Sequence, residues 1–497
     1  LTLFFAGRIC LMKYKTDFLK HPKLLVVLPF AFVLLNTLIK GLFLPSTSIA
    51  GDEPFSIYHA QMDVFSIVRL LSSGNNPPLY EIILHYWISI FGISEWAVRL
   101  PSLIFSSITA YYIYKIGIKY LTPEIALTAC VLFVFSNYQI LYAHQARGYT
   151  LFGMLTTMSL YYYIQFINQK AEPFKYSWLL IIINVLLIYT HYFGIIVLGI
   201  EITFILFNPH LRQLLLRKML FVFGIIAICY LPMLYTMFIR FTDSVTNGTW
   251  IQAPDGFNSL FGMVKTFTNM PVVAAISILF FIIAIIKFFI LKEKANLINK
   301  LLTYWFVVGF FGMFFISYAV PVFLDRYLMF AAIPFVLLLS AVANNLINGR
   351  VMALLPPIII CILFIATTSL NITNKRNVRE TVQYVESLKQ DSTMVIISPK
   401  HFVLNFAYYY DKRVFKNINT KEIYKNIQAD FAKNHIYTTN AISELDYKDY
   451  NHIVFLNAGA DFSFANNNIE KELSQQYSDT STQKFYEIFI VKEFVKK

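Results

Sequence analysis

The chain has 497 residues, of which 57% are hydrophobic and only 14% are charged. Soluble domains carry about a quarter of charged residues, so this composition excludes a soluble enzyme and places most of the chain in a bilayer. The net charge of +13 alone would suit a nucleic-acid partner, but the basic residues lie largely between apolar segments, where membrane topology accounts for them.

The start of the chain predicts a cytoplasmic N-terminus over residues 1–23. Met12 has the context of a natural start, so we expect residues 1–11 not to be native. The first apolar segment is long enough to span a membrane and is not followed by small residues typical of a cleavage site, so no signal peptide is expected.

Eleven segments predict membrane-spanning helices, each of which needs about 20 mostly apolar residues. They are 24–44, 101–121, 125–143, 149–168, 177–190, 192–207, 219–239, 271–291, 301–320, 327–347 and 351–370. The pair 177–190 and 192–207 is short. Together they define a predicted transmembrane domain, 24–370, whose first outer loop is 45–100.

Basic residues predict the orientation, because cytoplasmic loops retain Lys and Arg. With a cytoplasmic N-terminus, every second turn is basic. These turns contain Lys115 and Lys119; Lys170 and Lys175; Arg212, Arg217 and Lys218; Lys292, Lys294 and Lys300; and Arg350. The alternation would fail if the 13-residue stretch after Pro78 crossed the membrane. We therefore expect residues 54–73 and 78–91 to be helices on the outer membrane surface.

Residues 371–497 are polar, and their pattern predicts a small α/β domain on the outer face. The predicted elements are helices at Val378–Lys389, Phe402–Tyr410 and Ile469–Tyr477 and strands at Thr393–Ser398, Asn451–Leu456 and Lys484–Val491. Ala458-Gly459-Ala460 follows a strand but is too weak a pattern for a nucleotide site.

Asp52 and Glu53 form an acidic pair where the first predicted span ends. The pair could be two ordinary solvated loop acids. Acids are scarce in the membrane half of the chain, however, and a general base must lie close to the hydroxyl whose proton it takes. We therefore expect Asp52, and less strongly Glu53, to be catalytic.

Two outer turns carry arginine, one at His144 to Tyr149 and one at Asp325-Arg326-Tyr327. Arg147 and Tyr149 could be interfacial anchors, and Asp325 could be the partner of Arg326. The functional interpretation is that Arg147 binds a lipid phosphate or orders the Asp52 carboxylate, and that Arg326 binds a phosphate, which suits the planar guanidinium group.

Two further polar residues could have either a structural or a functional role. His191 lies in the tight turn Thr190-His191-Tyr192 and could be structural or contact the substrate. Glu201 lies deep in a span, where an acid is costly and often functional, yet it could simply hydrogen-bond a neighbouring helix.

These motifs resemble, in order, those of the membrane glycosyltransferases of the C-type fold, in the protein mannosyltransferase and aminoarabinose transferase superfamily. The residues that carry the resemblance are Asp52-Glu53, Asn76-Pro-Pro-Leu-Tyr80, Trp87, Phe91-Gly92, Glu95, Val98-Arg-Leu-Pro-Ser102, His144 to Tyr149, Thr190-His-Tyr192 and Asp325-Arg-Tyr327. The resemblance covers about residues 20–345. Where aminoarabinose transferases have Lys-Pro-Pro this chain has Asn76-Pro77-Pro78, so a lysine contact to the carrier is not implied.

The resemblance implies the C-type glycosyltransferase fold. Together with the apolar segments and the C-terminal pattern, it predicts a mainly α polytopic membrane protein of about 11 transmembrane helices with a small C-terminal extracytoplasmic α/β domain. It implies transfer of a sugar from a polyprenyl-phosphate donor to an acceptor hydroxyl, with inversion, at the outer face of a bacterial inner membrane. Asp52 is then the general base, Arg147 and Arg326 bind the donor phosphate, and His144, Tyr149, His191 and Tyr327 contact substrate.

No metal site, disulfide or cofactor is expected, because the four cysteines, Cys10, Cys130, Cys229 and Cys361, lack paired spacing. The alternative function is a transporter or flippase of lipid-linked sugars. Transporters favour internal repeats and broken helices meeting at the membrane midplane. This chain shows no repeat, and its polar motifs concentrate on one side.

Overall fold

The computed structural model describes residues 22–72, 76–168, 173–248, 251–291, 296–349, 352–372, 376–419, 422, 424–460, 468–486 and 489–497. Several predictions concern residues outside these ranges and stay predictions. They are the N-terminal segment 1–21 and the cytoplasmic placement of Lys170, Lys292, Lys294 and Arg350.

The helices of the described residues follow in chain order. They are α1 (Pro22–Gly41), α2 (Glu53–His59), α3 (Val64–Leu71), α4 (Leu79–Phe91), α5 (Glu95–Tyr120), α6 (Pro123–Val134), α7 (Asn137–Ala143), α8 (Tyr149–Asn168), α9 (Pro173–Ile188), α10 (Gly194–Phe207), α11 (Pro209–Asn247), α12 (Gly256–Phe267), α13 (Pro271–Leu291), α14 (Leu297–Ile316), α15 (Met329–Asn345), α16 (Leu355–Ala366), α17 (Val378–Leu388), α18 (Val403–Tyr410), α19 (Lys412–Phe415), α20 (Lys425–Ala432) and α21 (Ile469–Gln476).

The chain divides into two compact units. Unit 1 comprises residues up to Leu42, Leu70–Tyr80 and Arg99–Leu370. Unit 2 comprises Phe43–Arg69, Glu81–Val98 and Asn371–Lys497. The first outer loop therefore packs largely with the C-terminal residues.

Unit 1 is helical, and each of the eleven predicted spans falls on one or two of its helices. Four helices, at 209–246, 271–290, 297–316 and 325–345, are long and apolar enough to cross a membrane. The pair α6 and α7, bent by 57°, is apolar enough when its two helices are taken together, and shorter apolar helices accompany these. The prediction of a mainly α polytopic membrane protein is confirmed.

The span at 325–345 is the interior helix of unit 1. Its apolar window is 83% buried within the protein, against 22% for the span at 271–290. A helix that is apolar on all sides and buried on all sides is packed by other helices rather than by lipid. Trp305 of α14, itself fully buried, donates its indole N–H to the Phe330 carbonyl of this helix at 3.2 Å.

Unit 2 contains a five-stranded sheet in the order β2-β1-β3-β5-β4. The strands are β1 (Thr393–Ser398), β2 (Ile436–Thr438), β3 (His452–Ala458), β4 (Tyr477–Tyr486) and β5 (Phe489–Lys496). β1 pairs in parallel with β2 and β3, and β5 pairs antiparallel with β3 and β4. Every residue of β1 is buried, as expected of a parallel strand covered on both faces.

The α/β pattern predicted for the C-terminal residues is confirmed, and two of the expected elements need correction. The strand expected at Lys484–Val491 is wrong, because these residues include the end of β4 and the start of the antiparallel strand β5. The surface helix expected over 54–73 is two helices, α2 and α3, with Ala60–Asp63 between them. Alternating polarity alone does not separate two consecutive strands when neither glycine nor proline lies between them.

Candidate active site

The turn between α7 and α8 brings Arg147 to the interior of unit 1. His144, only 3% exposed, lies with its Nε2 atom 2.7 Å from the Lys40 carbonyl at the end of α1. Ser102 of α5 donates its hydroxyl to the Gln145 carbonyl at 2.6 Å. Contacts on both sides thus fix the turn, and the contact expected between His144 and substrate stays a prediction.

Gly148 allows this turn to pack closely. A Cβ atom at this position would lie 3.2 Å from Cβ of Tyr80 and 3.8 Å from Cγ2 of Thr190. The first distance is tighter than an ordinary van der Waals contact. A larger residue would therefore push the turn that carries Arg147 away from Tyr80, whereas the neighbouring Thr190 would remain at an ordinary contact distance.

Arg147 and Arg326 meet at the ring of Tyr149. The guanidinium carbon of Arg147 lies 5.8 Å from the ring centroid, and that of Arg326 lies 6.0 Å from it. Arg326 also lies 5.4 Å from the Tyr327 ring. Both distances to Tyr149 are in the range of a cation–π contact. Two arginines 179 positions apart in the sequence thus share one aromatic ring.

His191 completes this group, which we call the arginine cluster: Arg147, Tyr149, His191, Arg326 and Tyr327. The imidazole is 6% exposed and stacks between Phe152, at 4.9 Å, and Phe193, at 5.3 Å. Its ring centroid is 5.5 Å from that of Tyr327. The turn between α9 and α10 therefore delivers a third polar side chain to the same place.

The environment keeps His191 neutral. Burial lowers its pKa to about 3, and the positive charges of Arg147 and Arg326 add to that effect. Nδ1 accepts the Phe193 backbone N–H at 3.2 Å, so the neutral ring carries its hydrogen on Nε2. Nε2 is buried and has no hydrogen-bond partner among the residues that the structure describes.

The arginine cluster has the chemistry of an anion site. Two guanidinium groups supply positive charge, and the buried Nε2–H of His191 supplies a directed donor. A buried donor without a partner costs about 1–3 kcal/mol, a cost that an anionic ligand would remove. The structure thus brings five of the six predicted phosphate- and substrate-contacting residues into one group, and His144 is the exception.

Asp325 lies beside the arginine cluster and forms hydrogen bonds that stabilise the local backbone. Its Oδ1 atom accepts the Arg326 N–H at 2.8 Å, and its carbonyl accepts the Tyr138 hydroxyl at 2.8 Å. These contacts secure the short 3₁₀ helix Asp325–Leu328 that begins the interior span. Tyr138 belongs to α7, so the two arginine-bearing segments are tied together by a hydrogen bond.

The acidic pair lies in unit 2, where its two members have different environments. Asp52 is exposed and occupies the N-cap position of α2, where its side chain makes no capping hydrogen bond. Glu53 is 3% exposed, and its Oε2 atom accepts the Ala50 N–H at 3.2 Å. Only Asp52 is thus exposed to a molecule arriving from outside, whereas Glu53 stabilises the turn before α2.

Glu201 is bound by neighbouring helices. Its carboxyl group lies 2.5 Å from the Ser159 hydroxyl and 2.7 Å from Nδ2 of Asn184, and its carbonyl accepts the Tyr163 hydroxyl at 2.6 Å. These partners belong to α8 and α9. The interpretation of Glu201 as a polar link between helices therefore accounts for its contacts.

Three residues around the acidic pair were not singled out as functional by the sequence. Glu95, Arg379 and Tyr409 are joined to one another, although Glu95 is separated from the other two by 284 and 314 positions. No local pattern links residues at such separations. Among the described residues, no group of three or more His, Cys, Asp or Glu side chains has the arrangement of a metal site.

Comparison with known proteins identifies the fold. The protein has the C-type fold of membrane glycosyltransferases, and the resemblance drawn from the motifs is confirmed. Residues 75–235 match the family model described as dolichyl-phosphate-mannose-protein mannosyltransferase. This segment includes the turns of Arg147 and His191. No curated protein sequence matches the chain.

Solved structures share the architecture over almost the whole chain. The crystal structure of ArnT from Cupriavidus metallidurans bound to undecaprenyl phosphate is similar at a TM-score of 0.58, with 10% identity, over 95% of this chain and 98% of that chain. Archaeal oligosaccharyltransferase AglB from Archaeoglobus fulgidus, in complex with an inhibitory peptide and a dolichol-phosphate, is similar at 0.51, with 11% identity, over 86% of this chain and 69% of that chain. At these identities the matches establish the fold alone.

Proposed function

We propose that the protein transfers a sugar from a polyprenyl-phosphate carrier to an acceptor hydroxyl at the extracytoplasmic face of a bacterial inner membrane. The observation that carries the proposal is the arginine cluster, with two guanidinium groups around Tyr149 and a neutral, buried His191 donor. A phosphate is the anion that matches planar guanidinium donors. Relatives of the same fold support a lipid carrier, since ArnT is bound to undecaprenyl phosphate and AglB to a dolichol-phosphate.

We assign the departure of the lipid phosphate, the leaving group, to the arginine cluster. The bond between the anomeric carbon and the phosphate oxygen breaks, and its electron pair stays on the lipid phosphate. Arg147 and Arg326 stabilise the growing negative charge, and Nε2–H of His191 donates to the same phosphate. Fixed donors at a site of low dielectric stabilise such charge without reorganisation. Tyr149 and Tyr327 hold the arginines in place.

We assign activation of the acceptor hydroxyl, which attacks the anomeric carbon, to Asp52. The acceptor oxygen forms the new bond to the anomeric carbon on the face opposite the leaving phosphate, which inverts that carbon. Its proton passes to the Asp52 carboxylate. The exposure of Asp52 supports this role, because a general base must be within hydrogen-bond reach of the incoming hydroxyl. Glu53, which is buried, orders the loop.

The direct test is to incubate the purified protein with a panel of undecaprenyl-phosphate-linked hexoses and pentoses. We expect at least one donor to be converted to free undecaprenyl phosphate, with the sugar released or transferred to an acceptor. Asp52→Asn and Arg326→Ala proteins are the matched negative controls. A protein that moves lipid-linked sugars across proteoliposomes without cleaving any of them would be a flippase, and the proposal would be wrong.

The side of the membrane is tested separately by cysteine labelling in a protein whose native cysteines are replaced. Asp449→Cys and Arg217→Cys place thiols at exposed positions of unit 2 and of α11. The basic-residue alternation predicts that an impermeant maleimide labels position 449 on intact spheroplasts and position 217 only after lysis. The reverse pattern would place Asp52 in the cytoplasm and contradict the proposed location.

A further inference from the structure

The acid loop, which we define as residues 44–53, is largely buried, and its exposed residues are Pro45, Ser46 and the acid Asp52. Leu44 and Ile49 are completely buried, and Thr47, Ser48 and Ala50 are no more than 6% exposed. A loop with so little solvent contact must obtain its backbone hydrogen bonds from the protein. Its position is therefore set by whatever supplies those partners.

One face of α18 supplies two of them. Asn405 and Tyr409 are four residues apart and so lie on the same side of this helix. The Tyr409 hydroxyl accepts the Ile49 N–H at 2.6 Å, and Nδ2 of Asn405 donates to the Gly51 carbonyl at 3.4 Å. His401, four residues before Asn405, responds to the charge of Asp52, which opposes the lowering of its pKa by burial. The face runs antiparallel to the loop.

The Tyr409 hydroxyl is itself held by an ion pair. It donates to Oε1 of Glu95, and Nη2 of Arg379 lies 2.5 Å from both oxygens of the same carboxylate. Because a tyrosine hydroxyl has one proton, donation to Glu95 leaves its lone pairs to accept from Ile49. The ion pair thereby fixes the role of the hydroxyl as well as its position.

Two other contacts restrict the loop. The Arg379 backbone N–H donates to Oγ of Ser48 at 3.3 Å. Gly51 has a φ of +62°, and a Cβ atom there would lie 2.3 Å from Nη1 of Arg376. Gly51 therefore cannot carry a side chain without moving Arg376, and the residue next to Asp52 has little freedom.

We propose that Tyr409, supported by Glu95 and Arg379, is a positioning residue that holds the acid loop so that Asp52 meets the acceptor hydroxyl. The inference rests on the proposed role of Asp52 as the base. A base that is displaced by about 1 Å loses on the order of 100-fold in rate, so one hydrogen bond to the loop has a large effect on turnover. The C-terminal residues are then part of the catalytic apparatus rather than a cover.

The test is Tyr409→Phe, which removes one oxygen and keeps the ring. The matched control is Tyr410→Phe in the next position of α18, where the ring packs on Phe406 and Phe431 instead. With an undecaprenyl-phosphate sugar that the wild type cleaves, we expect kcat to fall roughly 10- to 100-fold in Tyr409→Phe while the donor KM stays within about twofold. Tyr410→Phe should match the wild type in both.

Two further readouts separate positioning from general damage. Hydrogen exchange should be faster at the Ile49 amide in Tyr409→Phe and unchanged in Tyr410→Phe. In an Asp52→Asn background, Tyr409→Phe should cause no additional loss of rate, because the hydroxyl acts through Asp52. Glu95→Gln, a second variant that keeps the tyrosine, should lower kcat in the same direction.

The outcomes distinguish this inference from the proposed function. If Asp52→Asn is inactive while Tyr409→Phe has wild-type kcat, the inference is wrong and the proposed base stands. An equal loss from Tyr409→Phe with and without Asp52 would also overturn positioning. If Asp52→Asn turns over at the wild-type rate, the proposed base is wrong, and the inference falls with it.

Discussion

The arginine cluster and the acid loop place charged groups in opposite environments. Arg147 is 6% exposed and lies among aromatic rings at helix ends, whereas Asp52 is exposed and follows a stretch, residues 47–50, that is buried. A group that stabilises charge through space acts most strongly where water is excluded. A group that accepts a proton from an incoming molecule must be reachable. The two sites thus differ in whether the charged group itself is buried. They share the burial of the neighbouring residues that hold that group in place.

The largest effect is expected at the exposed acid. Asp52→Asn keeps the shape of the side chain but removes its basicity, so transfer should fall about 10²- to 10⁴-fold while donor binding stays near normal. Turnover and donor affinity measured on the same purified protein check this. The loss should appear in kcat rather than in KM.

Glu53→Gln is the matched control for the acid loop. Glu53 is buried and accepts the Ala50 N–H, so its substitution should perturb the loop mildly and leave most of the turnover. If the two results are exchanged, Glu53 is the base. If a divalent chelator abolishes wild-type activity, the pair instead binds a metal, and the comparison between the two sites needs to be redrawn.

The next effect is expected in the arginine cluster. Arg147→Ala and Arg326→Ala each remove hydrogen bonds to a charged group, which are worth about 1.5–3 kcal/mol, so donor affinity should weaken roughly 10- to 100-fold. Arg→Lys at either position should restore only part of it, because lysine lacks the planar fork. Binding of an undecaprenyl-phosphate sugar, measured by calorimetry, is the assay.

Arg240→Ala serves as the control for these two variants. Arg240 is partly exposed and lies 3.9 Å from Asp243 on the same helix, so its loss should leave donor affinity unchanged. Normal donor binding in both Arg147→Ala and Arg326→Ala would mean that the phosphate site lies elsewhere in the protein.

The smallest effect is expected at His191, which adds a neutral donor to the two charges. His191→Phe keeps the aromatic stack and removes Nε2–H, so donor affinity should weaken about 2- to 10-fold. The loss should be the same at pH 6 and pH 8, because the pKa of His191 is about 3 and the ring stays neutral throughout.

The lowered pKa of His191 also predicts how the stability of the protein depends on pH. The unfolded chain protonates this residue near its ordinary pKa of 6.5, whereas the folded protein does so only near pH 3. The unfolded state thus binds more protons in this interval, and the free energy of unfolding falls on acidification by at most ~1.4 kcal/mol per pH unit. Thermal midpoints in detergent should depend less on pH in His191→Phe.

His210→Phe, at an exposed position near the start of α11, is the matched control and should keep the wild-type pH dependence. A wild-type pH dependence in His191→Phe as well would show that His191 is not the group that stays neutral on folding.

The sequence by itself determined the membrane class, the eleven helical segments and the positions of the charged turns. Hydropathy acts over about 20 consecutive residues, and a charged residue in such a segment is costly, so local composition is sufficient. The order of the motifs also indicated the C-type fold. The strand at Thr393–Ser398 was predicted to the residue, since its apolar run is bounded by polar residues and proline.

Tertiary structure alone decided which of the marked residues meet. Arg147, His191 and Arg326 join because three turns are packed against one another, and His144 instead contacts the end of α1. It also decided that Asp52 is exposed and Glu53 is buried. The sequence shows only two adjacent acids and does not indicate which of them is exposed. The link from Tyr409 to Ile49 spans 360 positions. A hydrogen bond between residues so far apart leaves no periodicity in the sequence, because it depends on how independently formed elements pack.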